Sequence, residues 1–83
     1  VNKEIKEFIQ ELILEFPEKV RISKDIFKEF ITYVYSTLED KINSTKKISI
    51  KNKYIKIRKS VLQYFVANEK AITSEILKRK SIQ

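Results

Sequence analysis

The chain contains no glycine, and that absence restricts it more than any residue it does contain. Loops that cradle phosphates in nucleotide-binding proteins need backbone positions that only glycine reaches cheaply, so the P-loop and dinucleotide types are excluded. Cysteine and histidine are missing as well. Their absence removes zinc fingers, disulfide scaffolds, haem ligation of the usual kinds and every Ser-His or Cys-His catalytic pair. No carboxylate cluster suggests a metal set or a perturbed acid; Asp25 with Glu29 and Glu39 with Asp40 read as solvated helix-surface pairs. The expectation is a binding protein with no cofactor, no metal and no small-molecule substrate, rather than an enzyme.

A chain of 83 residues makes one domain with a modest core, and 42% apolar residues suffice to fill it. The longest apolar run is Tyr64 to Ala67, far too short for a membrane span or a signal peptide. These features point to an intracellular protein of the cytoplasm or nucleoid, or of the nucleus in a eukaryote. The high Lys and Ile content suits an AT-rich genome or a thermophile. The first residue is Val rather than Met, which points to processing or excision from a longer chain.

Pro17 divides the first half. Before it, Ile5, Phe8, Ile9, Leu12, Ile13 and Phe16 recur at helical spacing and predict an amphipathic helix from about Asn2 to Phe16. Proline restrains the preceding residue and stops that helix. Glu18 to Ile22 reads as an extended link, and Ser23 as an N-cap with Asp25 in the first turn. Phe27, Phe30, Ile31, Val34, Leu38 and Ile42 then predict a second helix to about Lys41, antiparallel to the first.

After Asn43-Ser44-Thr45 a period of two takes over. Folding Lys47 to Arg58 about Asn52-Lys53 sets Ile48, Ile50, Ile55 and Ile57 on one face of a β-hairpin. Asn suits the first turn position, but Lys is a poor substitute for Gly at the second. A helix from about Lys51 is the competing reading, because Tyr54, Ile57, Val61 and Phe65 also fit a period of 3.6. Ser60 with Gln63 resembles a capping box, which favours a helix beginning at Val61 and a hairpin before it. Helices from Val61 to Asn68 and from Ser74 to Lys80, the latter capped by Thr73, follow around a turn at Glu69 to Ile72. The expected class is therefore α+β, mostly helical: two antiparallel helices, a basic β-hairpin and a short helix pair, within one domain of residues 1–83.

Charge is distributed unevenly. Residues 1–42 hold seven bases and nine acids, whereas residues 43–83 hold eleven bases and only Glu69 and Glu75. Between Lys46 and Lys59 there are seven bases and no acid. On a hairpin, Lys47 would face Arg58 and Lys46 would face Lys59, and like charges directly across a strand pair destabilise it. Phosphates would neutralise them and release counterions. The candidate nucleic-acid contacts are Lys46, Lys47, Lys51, Lys53, Lys56, Arg58 and Lys59, with Tyr54 available to stack on an unpaired base. The bland reading is a solvated lysine surface that protects a strand edge. On the first helix Glu4, Glu7, Glu11, Glu15 and Glu18 form an acidic stripe that would repel nucleic acid or dock a basic partner. Tyr33 and Tyr35 lie at the edge of the second helix's apolar stripe, as core edge or partner contact.

The stretch from Val61 to Ile82 resembles the first two helices of winged-helix and helix-turn-helix DNA-binding domains. There an apolar helix, a polar turn, a Thr or Ser cap and a short second helix follow one another, and the recognition helix would begin past Gln83. The segment from Phe16 to Asp25 is similar to the first loop of the histone fold, and Ser49 to Ile55 to its second. The expected function is nucleic-acid binding, with DNA favoured over RNA, through phosphates. The alternative is a small accessory subunit of a larger replication or transcription protein.

Overall fold

A computed structural model describes residues 2–16 and 25–80. They form three helices, α1 (Asn2–Glu15), α2 (Ile26–Ser44) and α3 (Ile48–Lys80), and no strand. The expected link at Glu18 to Ile22 and the Ser23 cap lie outside the described residues.

α1 forms as its periodicity dictates. Ile5, Phe8, Ile9, Leu12, Ile13 and Phe16 are all buried, while Glu4, Glu7, Glu11 and Glu15 are exposed. The Phe16 N–H donates to the Leu12 carbonyl at 2.8 Å, which closes the last turn before Pro17. α2 starts at Asp25, whose carbonyl accepts the Glu29 N–H at 2.9 Å. Its buried line is Ile26, Phe30, Val34, Leu38 and Ile42. Phe27 and Ile31 pack at the edge of the core, as do Tyr33 and Tyr35. The helix runs past Lys41 to Ser44, and Thr45 ends it: its backbone N–H and its hydroxyl both donate to the Lys41 carbonyl.

The hairpin and with it the α+β class are corrected by α3. Residues 48–58, expected as two strands, are helical. The four isoleucines do not share a face: Ile57 is 2% exposed, whereas Ile50 is 40% and Ile48 74% exposed. The side chains that meet the core, Tyr54, Ile57, Val61 and Phe65, are those of the competing helical period. Two physical terms decide this outcome. A two-stranded hairpin is marginal on its own and lacks a glycine at its turn here, whereas a helix continues through Ser60 and delivers four core side chains without any turn. Ser60 consequently sits inside a helix, half-buried, and caps nothing.

The expected turn at Glu69–Ile72 and the separate helix capped by Thr73 are corrected in the same way. A single helix passes through them, broken only at Asn68, whose φ of −125° and ψ of 21° are non-helical. The Asn68 side-chain amide donates to the Tyr64 carbonyl at 3.0 Å. The side chain thus folds back on the turn before the break, onto the carbonyl that a helix also offers to the Asn68 backbone N–H. A straight helix of this length would measure about 48 Å. The whole molecule is only 39 Å in its longest dimension, so α3 must bend. Its first leg, residues 48–67, contributes Ile57, Val61 and Phe65 to the core, and its second leg contributes Ile72 and Ile76.

All-helical architecture gives the winged-helix expectation no support: a wing is made of strands, and the described residues hold none. The second loop of the histone-fold likeness, placed at Ser49 to Ile55, is also displaced, because the observed loop is 45–47. α3 packs against both α2 and α1, and these two meet α3 far more than they meet each other. The first two helices therefore join mainly through α3 rather than directly. Phe16 links them, its ring 5.3 Å edge-on from Phe30 and 5.4 Å from Tyr33. Phe65 reaches α2 from α3, with ring centroids 5.9 Å from Phe27 and 6.3 Å from Phe30.

Candidate functional site

The basic segment occupies the loop between α2 and α3 and the first three turns of α3. Lys46 and Lys47 lie in the loop; Lys51, Lys53, Lys56, Arg58 and Lys59 lie on the helix, and all seven are exposed. None of the seven has an ion-pair partner among the described residues. An ion pair in this half of the chain joins Arg79 to Glu75 at 3.3 Å, one turn apart and open to solvent, where such contacts contribute little.

The helix brings different bases together from those the hairpin would have joined. Lys47 and Arg58 are separated by about 16 Å of helix rise and cannot face one another. Lys53, Lys56 and Lys59, three residues apart, instead line one ridge on the outward side. Lys51 and Arg58, seven apart, form a second line on the other flank of the exposed arc.

The start of α3 is electrostatically odd. The Lys47 carbonyl accepts the Lys51 N–H at 3.0 Å, which puts Lys47 at the capping position. A lysine side chain has no acceptor and cannot cap a free N–H. No acid occupies the first turn. Lys46, Lys47 and Lys51 thus gather at the positive end of the helix dipole, where cations are disfavoured and anions are stabilised.

Tyr54 does not join the bases. It is half-buried and turned to the core, its ring 6.0 Å from Phe8 of α1 and 5.7 Å from the Lys41 ammonium of α2. Its position ties the basic leg of α3 to both other helices rather than offering a stacking face.

Sequence reasoning overlooked a row of exposed apolar side chains, Ile48, Leu62 and Val66, with half-buried Ile55 between them. The signal was the seven-residue spacing of Ile48, Ile55 and Leu62, visible only when this stretch is read as helix. Among the described residues no helix is long and apolar enough to cross a membrane. The comparisons with known proteins add no relative: no protein-family model, no curated protein and no solved structure matches the chain.

Proposed function

We propose that the chain binds nucleic acid through its phosphates, using the loop 45–47 and the first turns of α3. The observation that carries the reading is the set of seven exposed cations between Lys46 and Lys59, without ion-pair partners among the described residues, three of them at the helix end where a cation is least favourable. Isolated, this arrangement costs stability; against a phosphate backbone it releases counterions and supplies affinity. With Tyr54 turned inward, base stacking has no residue in this segment, so the reading is one of backbone contact without sequence readout.

Binding of short duplexes and single strands, followed by fluorescence anisotropy in low salt, tests it. Replacing Lys46, Lys47, Lys53, Lys56 and Lys59 with Ala should weaken binding to every sequence alike by about 100-fold or more. Unchanged affinity in that variant overturns the reading.

The second reading, a small accessory subunit that binds a larger protein, is favoured by the exposed Ile48, Leu62 and Val66. Retention of one stoichiometric protein from cell extract after nuclease treatment supports it.

A further inference from the structure

Four large apolar side chains stand in a row on the outward side of the first leg of α3. Ile48 is 74%, Leu62 56% and Val66 76% exposed, with Ile55 half-buried among them. Spacings of seven, seven and four keep them on one line, about 27 Å from Ile48 to Val66 and well over 90° round the helix from the line that meets the core. Single exposed apolar side chains need no explanation, but an aligned row does. A helix with apolar lines on two sides is built for two contacts, and the structure supplies one of them.

Charge selects the occupant of the other. From Lys41 to Asn68 there is no acidic residue. Lys51 and Arg58 border the row on one side and Lys59 on the other. A second copy seated on the same row would press these cations together, whichever way it ran. The chain's own acidic surface on α1 offers a single large exposed apolar side chain, Leu14, and cannot fill the row. A duplex presents phosphates on its outside and no apolar surface. Resting on the accessory-subunit reading, we infer that this row docks an acidic amphipathic helix of another protein. The partner's apolar side chains lie along Ile48, Ile55, Leu62 and Val66, and its carboxylates meet Lys51, Arg58 and Lys59. A helix of about 18–20 residues spans the row. The ridge of Lys53 and Lys56 stays outside this contact and remains open to phosphates.

The test uses labelled synthetic helical peptides of about 20 residues, titrated with the whole chain. One carries Leu along one face and Glu on its flanks; a second has Lys for Glu, and a third Ser for Leu. The Leu/Glu peptide should bind saturably and the other two should not. Leu62→Gln with Val66→Gln changes two exposed positions and should leave the circular dichroism spectrum intact while weakening that peptide about tenfold or more. Lys51→Glu with Lys59→Glu should exchange the preference, so that the Lys-flanked peptide now binds. Leu/Glu peptide affinity that the Gln variant leaves unaltered overturns the proposal. So does a dimer in sedimentation that the Gln variant abolishes, since a second copy then covers the row. Equal loss of duplex binding in that variant assigns the row to nucleic acid, and loss of binding to phosphatidylserine vesicles assigns it to a lipid surface; either result overturns the proposal. A stoichiometric protein held through Leu62 and Val66 by a segment without acids preserves the subunit reading and overturns the acidic helix.

Discussion

Lys47 sits where its charge costs the fold stability and where a bound phosphate would offset that cost. It caps α3 without an acceptor side chain and adds a positive charge where the dipole is already positive. Lys47→Ser should therefore raise the stability of the folded chain by about 0.5–1 kcal/mol in denaturant titration. The same substitution should lower affinity for nucleic acid, and a variant that loses both stability and affinity contradicts this account. Asn68 acts in the opposite sense, because its side chain supplies the Tyr64 carbonyl with a donor where the backbone leaves helical geometry. Asn68→Ala removes that bond at a non-helical position, where alanine's helix propensity gives no compensation. It should cost about 1 kcal/mol, measured as a lowered denaturation midpoint. Neither role was readable beforehand. Asn68 was expected to end one helix before a turn, and it does mark the only break in α3, but its amide contact depends on the exact backbone angle.

At the scale of elements, α1 and α2 were legible because their apolar periods are unambiguous and their burial follows them residue by residue, from Ile5 to Phe16 and from Phe30 to Ile42. α3 was misread because two periods coexist in the same residues. Ile48, Ile50, Ile55 and Ile57 satisfy a period of two, and Tyr54, Ile57, Val61 and Phe65 one of 3.6, with Ile57 common to both. Only the second period runs on beyond Arg58 into residues that reach Phe27 and Phe30, so tertiary contact decided what the local pattern left open. The charge was legible: each of the seven bases from Lys46 to Lys59 is exposed. Their grouping was not, since it depends on the period. The two ends of the first leg should also differ in protection. Ile48 and Ile50 are exposed whereas Ile57, Val61 and Phe65 are buried, so amides near residues 57–65 should exchange hydrogen much more slowly than those near 51–53. Equal protection along the leg would show that its start is held by contacts beyond those described.

For the whole molecule, α3 is both the centre of the core and the carrier of the basic surface, so stability and the proposed phosphate contact fall on one element. Phe65 is 1% exposed and its ring contacts two phenylalanines of α2, so Phe65→Ala should cost about 3–5 kcal/mol, a large part of what a domain this small possesses. Thermal melting of that variant should show a greatly lowered or absent cooperative transition. The acid-rich and base-rich halves of the sequence stand on different helices, with exposed glutamates on α1 and exposed lysines on the first leg of α3. The central claim, that this leg grips phosphates, is tested most directly by the slope of log affinity for a short duplex against log salt concentration. With roughly 4–6 phosphate contacts the slope should be about −4 to −5, and Lys53→Ala, Lys56→Ala and Lys59→Ala together should reduce its magnitude by about 2–3. A shallow slope, or one the triple variant leaves unchanged, contradicts the claim.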